Sequence, residues 1–185
     1  MIIEVLPAFS EVLSETCPWP TLNVSYMQTQ DFSTLISPAD RPLSMADRYR
    51  SIRSRTEEIC KPLSVEDYVI QSMEDVSPTK WHLAHTTWFF ETFVLREFDP
   101  SYVPLSEQYA YLFNSYYVQA GHRFSRPHRG LLSRPRVDEV FSYRKHVDDS
   151  MVRLLSEAGD REEVRSVVEI GLNHEQQHQE LMVTD

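Results

Sequence analysis

The C-terminal segment of the chain constrains the fold most, because it places two histidines four residues apart in a helical pattern. His174 and His178 lie in the run H-E-Q-Q-H, and residues four apart on an α-helix leave the same face one turn from each other. The apolar stripe that these histidines continue recurs at three- and four-residue steps, at Val164, Val167, Val168, Gly171, Leu181 and Met182. The pattern predicts a helix over residues 161–182 with both imidazoles facing the core.

Two inward-facing imidazoles need either a cation or hydrogen-bond partners, since an unsatisfied buried ring nitrogen costs free energy. The spacing favours a metal site, and a pair of core histidines bonded to their neighbours is the alternative. The same letters also spell the H-E-x-x-H signature of zinc proteases, in which Glu175 would be the general base. That class needs a third ligand farther along the chain, and only seven residues follow His178. We therefore expect any third ligand to come from upstream.

Length and composition predict one soluble globular domain. The chain has 185 residues, of which 41% are hydrophobic and 25% are charged. No apolar run approaches the ~20 residues of a membrane span, and residues 1–15 carry three glutamates and no basic residue, unlike a secretory signal. The net charge of −10 argues against nucleic-acid binding, which needs a basic surface. We expect a cytoplasmic protein with neither a membrane nor a nucleic acid as partner.

Four main helices are predicted from periodicity and cap signals. They run from Met45 up to Pro62, from Ser77-Pro78 to about Glu97, from Val137 to near Gly159, and over residues 161–182, with a short helical piece over 65–73. Ser44 and Asp160, each followed by an acid three residues later, are the expected caps of the first and last helices. Ser77 is the expected cap of the second helix, with Pro78 in its first turn.

The expected fold is all-α, because no segment alternates persuasively enough to predict a strand. Residues 44–185 are predicted to form a four-helix bundle with a long ordered crossover over residues 98–136, and one or two helical turns over 109–119. Residues 1–43 are rich in proline and predicted to be an irregular arm. In such bundles, metal sites are built in the core from facing helices.

The second predicted helix carries the candidates for a third ligand. One face of it presents Trp81, His85, Trp88 and Leu95, and His82 is rotated toward one side of that face. His85 is therefore the first candidate and His82 the second. A core histidine hydrogen-bonded to a neighbour is the alternative for either.

The crossover predicts a positive patch in an acidic protein. Between Gln108 and Val137 there is no acidic residue, yet there are five arginines: Arg123, Arg126, Arg129, Arg134 and Arg136. The planar guanidinium binds carboxylate or phosphate in two places, so an anionic small molecule is the natural ligand. Pairing with the chain's own carboxylates is the alternative.

Four separated blocks of the sequence, taken together and in order, resemble a known family. They are SPTKWHLAHTTWFFE over 77–91, FNSYY over 113–117, RPHRGLLSRP over 126–135, and HEQQH over 174–178. In this order they resemble the N-terminal DinB-like domain of the ergothioneine-biosynthesis sulfoxide synthases, the EgtB family. The resemblance covers roughly residues 44–185.

This resemblance implies a mononuclear non-haem Fe(II) site with His85, His174 and His178 as ligands. Three imidazole nitrogens by themselves would equally hold zinc or another divalent metal. Members of the family join the sulfur of cysteine or γ-glutamylcysteine to the imidazole C2 of trimethylhistidine, with O2 as oxidant, and give a sulfoxide. Arg123 and Arg126 match positions that hold the carboxylates of the thiol substrate in relatives.

The sequence departs from the family pattern at one point. The family enzymes continue into a second domain, similar to formylglycine-generating enzymes, which supplies the rest of the trimethylhistidine pocket and the catalytic tyrosine. Because the sequence stops at Asp185, we expect a truncated or separately encoded metal domain that is inactive alone and partners a separately encoded synthase domain. Two alternatives stay open: a stand-alone DinB-like metal-dependent thiol S-transferase, and a non-catalytic docking module whose metal is structural.

Overall fold

A computed structural model describes residues 43–115, 121–157 and 161–185, and no residue within these parts lies in a strand. The helices are α1 (Met45–Cys60), α2 (Thr79–Phe90), a π-helical segment (Glu91–Leu95), α3 (Arg96–Phe98), α4 (Tyr109–Leu112), α5 (Val137–Glu157) and α6 (Glu162–Thr184). Two 3₁₀ helices span Asp67–Val69 and Arg126–Leu131. The predicted all-α fold is confirmed. The arm predicted over residues 1–43 lies, except for Leu43, outside the described residues.

The four long helices pack around one core. Helix α2 contacts α5 and α6, and α1 contacts the same two helices, which gives a four-helix bundle. Helix α2 is buried along nearly its whole length, so its side chains form the centre of the core. None of the described helices combines the length and the hydropathy that a membrane span requires.

Of the predicted N-capping residues, Ser44 is confirmed and Ser77 is not. Ser44 caps α1, because its Oγ accepts from the backbone N–H of Asp47 at 3.1 Å. Ser77 does not cap α2, so that prediction is wrong. Pro78 flanks the helix without a side-chain cap, and the Ser77 hydroxyl instead accepts from Nη1 of Arg129 at 2.8 Å. The expected cap Asp160 lies outside the described residues, and α6 is flanked by Arg161.

The described parts of the crossover are tied to the segment around α2. Trp81 donates from its indole Nε1 to the carbonyl of Leu112 at 3.2 Å, and Lys80 donates to the carbonyl of Leu132 at 2.6 Å. The helical turn predicted over residues 109–119 is present as α4, while residues 116–120 lie outside the described part. The crossover therefore lies against the same helix that carries His85.

Helices α2 and α6 approach each other closely at Gly171. A Cβ atom at this position would lie 2.5 Å from Cε1 of Phe90 and 2.8 Å from Cε1 of Phe89. Only glycine leaves room for both rings. The close contact brings the histidines of α6 toward those of α2.

Candidate metal centre

Three histidines from two helices converge inside the bundle. One ring nitrogen from each of His85, His174 and His178 lies within 4.8 Å of the others, and the Nε2 atoms of His174 and His178 are 3.1 Å apart. Nitrogens that bind one ion at about 2.0–2.1 Å, with angles between octahedral and tetrahedral values, lie about 2.9–3.4 Å apart. The His174–His178 pair has this spacing, and the three nitrogens together could hold a first-row divalent metal. The role of these residues as ligands stays a prediction.

The ring of His85 is fixed by a hydrogen bond and by stacking. Its Nδ1 lies 2.6 Å from the carbonyl oxygen of Phe113, which can only accept, so Nδ1 carries the proton and Nε2 has a free lone pair. The imidazole stacks on Trp81 with 4.4 Å between ring centroids, and lies parallel to Trp88 at 5.6 Å. The sequence face that singled out His85 thus also supplies the two indoles that hold its ring.

The three imidazoles are neutral at physiological pH. Burial, with help from His178 and His174, holds the pKa of His85 well below its usual 6.5. Burial lowers the pKa of His174 to about 4, and burial together with His82 and His174 lowers that of His178 to about 2. Metal binding requires the neutral ring, so the site is held in the protonation state that a ligand needs.

The glutamate of the H-E-x-x-H run is engaged in an ion-pair network on a different side of α6. Oε2 of Glu175 accepts from Nη1 of Arg53 at 2.8 Å, while Oε1 accepts from Nη2 of Arg144 at 2.7 Å and from the hydroxyl of Thr56 at 2.6 Å. Burial would raise the pKa of Glu175, but the two guanidinium groups outweigh it and lower the pKa to about 2. A carboxylate held in this way does not serve as the base of a zinc protease.

His82 lies behind His178 rather than within the triad. Its Nδ1 is 2.7 Å from Nδ1 of His178, and its Nε2 is 3.3 Å from Oδ2 of Asp185. Burial lowers the pKa of His82 to about 4, and Asp185 opposes that effect. Sequence reasoning missed Asp185, which directly follows α6, although its position two helical turns after His178 was a usable signal.

The arginine-rich patch divides in two. A cavity of about 250 Å³ lies against the three histidines and is also lined by Arg126, Arg129 and Gln177. A neighbouring cavity of about 430 Å³ is lined by Arg123 and shares Arg126 and Arg129 with the first. Arg136 lines neither of them and pairs with Asp138. Of the two predicted substrate residues, Arg126 lines the cavity of the histidine cluster and Arg123 lines only the neighbouring one, and their role in binding stays a prediction.

Arg129 is the residue of the patch that sequence reasoning failed to single out. It is buried, its guanidinium lies 3.4 Å from the ring centroid of Trp81, and it donates to the hydroxyls of Ser77 and Ser115 at 2.8 and 3.2 Å. Trp81 in turn stacks on His85. A positive charge is thereby fixed one aromatic ring away from the candidate metal centre.

One family model matches the chain over most of its length. The model described as the DinB superfamily covers residues 48–182, which include all three histidines of the cluster and the described arginines of the two cavities. No curated protein matches the chain at a significant level.

Proposed function

Since the chain belongs to the DinB superfamily, a group of metal-binding helical domains, we propose that it is the iron-binding domain of an ergothioneine-type sulfoxide synthase. In this proposal His85, His174 and His178 hold Fe(II), and Arg123 and Arg126 hold the carboxylates of cysteine or γ-glutamylcysteine. The observation that supports the proposal is the wall shared by the two cavities, which carries Arg126 and Arg129 and borders the cavity of the three histidines. The resemblance implies that the complete reaction also requires the second domain of the family enzymes.

The residues of this chain would bind and orient the reactants. Bound Fe(II) would supply the redox chemistry that O2-dependent carbon–sulfur bond formation needs. The carbonyl of Phe113 and the flanking indoles hold the His85 ring in one orientation. The arginines would fix a thiol substrate by its carboxylates, so that its sulfur lies on the histidine side of the shared wall. The choice of iron over zinc rests on the family resemblance, since three imidazoles hold either metal.

Metal binding tests the first half of the proposal. We expect the anaerobically purified chain to bind one equivalent of Fe(II), and replacement of His85, His174 or His178 by alanine to lower the affinity by at least about a hundredfold. His128→Ala is the matched control, because this histidine is exposed in the crossover and outside the cluster. Wild-type affinity in His174→Ala, or no binding by the wild type, would contradict the proposal.

Substrate binding tests the second half. With Co²⁺ as a spectroscopic substitute, we expect cysteine or γ-glutamylcysteine to change the visible absorption of the bound metal, and Arg126→Ala to weaken this response by about tenfold. Arg136→Ala is the control, since Arg136 pairs with Asp138 away from both cavities. A spectrum that ignores added thiol would indicate a closed coordination sphere, and would favour a docking module with a structural metal.

A second candidate function is a stand-alone metal-dependent thiol S-transferase. The observation that favours it is that described residues of this chain line both the cavity of the three histidines and the arginine-lined cavity next to it. In such a reaction the thiol loses its proton, its sulfur forms a bond to an electrophilic carbon, and a halide leaves. Incubation of the Zn²⁺-loaded chain with cysteine and monochlorobimane tests it. A rate equal to that of the metal-free chain would exclude this candidate.

A further inference from the structure

We propose that His82 and Asp185 form a positioning pair that holds His178 in the tautomer required of a metal ligand. The inference rests on the proposed metal site and assigns roles to two residues outside the triad. Nδ1 of His82 lies 2.7 Å from Nδ1 of His178, and Nε2 of His82 lies 3.3 Å from the carboxylate of Asp185. The three side chains form one line of hydrogen bonds that leads away from the cluster.

Hydrogen-bond chemistry gives this line a direction. Nε2 of His178 faces Nε2 of His174 at 3.1 Å, so a metal shared by these two atoms requires both of them to be unprotonated. The proton of His178 then belongs on Nδ1, from which it is donated to Nδ1 of His82. His82 consequently carries its own proton on Nε2, which is the atom that faces the Asp185 carboxylate. Every donor in the line meets an acceptor.

The surroundings of His82 support a positioning role. The side chain of His82 is 4% exposed, so a neighbour rather than water must satisfy its nitrogens. Its ring lies edge-on to Trp81, and the Asp185 carboxylate also accepts from the backbone N–H of Ser77 at 3.5 Å. Trp81 of α2 therefore supports the His82 ring, and Ser77, just before α2, supports the Asp185 carboxylate. A carboxylate that is hydrogen-bonded to the partner of a metal-binding histidine makes that histidine more basic and fixes the orientation of its ring. In this line, Asp185 is the carboxylate, His82 the partner and His178 the proposed ligand.

The competing interpretation makes His82 a fourth ligand. Its near nitrogen faces the Nδ1 edge of His178, whereas His174 faces the Nε2 edge. One ion cannot bind all three rings unless His178 turns. His85 needs no such helper, because its Nδ1 already donates to the carbonyl of Phe113. His178 differs from His85 in that its outer nitrogen meets a side chain, that of His82.

The experiment compares metal affinity in three variants of the full chain. Using competition with a chromophoric chelator for Zn²⁺, we expect His82→Ala to weaken binding by about ten- to a hundredfold. We expect His82→Gln to recover much of the loss, because its amide oxygen can accept from Nδ1 of His178, and Asp185→Asn to fall between them. His128→Ala serves as the control. If His82→Ala fails to fold, the glutamine and asparagine variants carry the test.

A spectroscopic measurement separates positioning from general support of the fold. In the Co²⁺-loaded chain, the Nδ1 proton of His178 should give a paramagnetically shifted NMR signal that exchanges slowly with water. We expect it to be lost in His82→Ala and retained in His82→Gln, while the signal of the His85 Nδ1 proton, which is bonded to the Phe113 carbonyl, persists in every variant. The melting temperature of each metal-free variant shows whether the fold itself has changed.

The outcomes are distinguishable. Wild-type affinity and an unchanged NMR signal in His82→Ala would overturn the positioning role while leaving the metal site intact. Loss of all binding in His82→Ala without recovery in His82→Gln would make His82 a ligand, and would also overturn the inference. Failure of the wild type itself to bind metal would refute the proposed function, and the positioning role with it.

Discussion

Arg53 of α1 donates from Nη1 to Oε2 of Glu175 over 2.8 Å, and the two side chains are 3% and 0% exposed. Arg144 of α5 reaches the other oxygen of the same carboxylate at 2.7 Å. Glu175 thereby anchors α6 to two other helices. Because Glu175 directly precedes the Q-Q-H part of the motif, this anchor sets the rotation of α6 about its axis, and with it the direction of His174 and His178.

Removal of that anchor should destabilise the fold. We expect Glu175→Ala to lower the free energy of unfolding by about 3–5 kcal/mol, because it leaves buried guanidinium groups without their shared partner. Glu175→Gln should lower it by less, since the amide keeps the volume and one acceptor. Urea denaturation at pH 7 measures both. Glu180→Gln, at an exposed position of the same helix, should stay within about 0.5 kcal/mol of wild type. Wild-type stability in Glu175→Gln would contradict the anchoring role.

The contact at Gly171 should respond to a single added carbon. A Cβ atom there would lie 2.5 Å from Cε1 of Phe90, so we expect Gly171→Ala to cost about 1–3 kcal/mol of stability through overpacking. By forcing α6 away from α2, it should also weaken Zn²⁺ binding. Thermal melts and chelator competition measure the two effects. Asn173→Ala, an exposed site on α6, is the control, and equal stability of both variants would show that the aromatic rings yield without cost.

The thiol of Cys60 should be unreactive in the folded chain. It is buried against Met182, with 3.9 Å between the sulfur atoms, and burial raises its pKa from 9.0 to about 11 while Arg144 opposes the shift. In a Cys17→Ser background, we expect iodoacetamide at pH 8 to alkylate the folded protein at least about a hundredfold more slowly than the urea-unfolded protein.

The same shift links Cys60 to stability at alkaline pH. As pH rises, the unfolded chain releases the thiol proton near pH 9.0, while the folded chain holds it until about 11. The stabilising contribution is therefore complete below pH 9 and is lost between about 9 and 11. Denaturation of the wild type and of Cys60→Ala across this range should show a difference that shrinks with rising pH. A difference independent of pH would contradict the shift.

Features that lie within a single helix could be predicted from the sequence. The four-residue spacing of His174 and His178 and the indole-lined face of His85 are properties of individual helices, so both could be predicted. Long-range partners could not. Ser77 was expected to cap α2, but its hydroxyl is used by Arg129, 52 positions away. Helical periodicity relates residues only a few positions apart, so it could not predict this contact.

The π-helical segment after α2 shows the same limit. Glu91 lies in an apolar stretch and reads as an ordinary helical residue. In the structure it is buried, and its carboxylate accepts from the hydroxyls of Tyr102 and Tyr143 at 2.5 and 2.6 Å. These partners come from the crossover and from α5. The π-helical segment thus begins at a residue whose partners are distant in sequence, and local sequence patterns do not predict such contacts.

Arg129 should couple anion binding to metal binding. Its charge adds to the effects that lower the pKa of His85 and His178, and the same field disfavours a metal cation at their ring nitrogens. An anion bound at the wall that Arg129 shares between the two cavities would offset this repulsion. Because coupling is reciprocal, each ligand should then tighten the binding of the other.

The test uses γ-glutamylalanine, which carries the carboxylates of γ-glutamylcysteine without its thiol. We expect this probe to raise the Co²⁺ affinity of the wild type by about five- to tenfold, as measured by chelator competition. Arg129→Met, which keeps an unbranched side chain over Trp81, should bind Co²⁺ more tightly than the wild type when the probe is absent, and should lose the response to it. Arg136→Met should behave as the wild type, since its guanidinium lies outside both cavities. Equal Co²⁺ affinities with and without the probe in the wild type would show that the two cavities act independently.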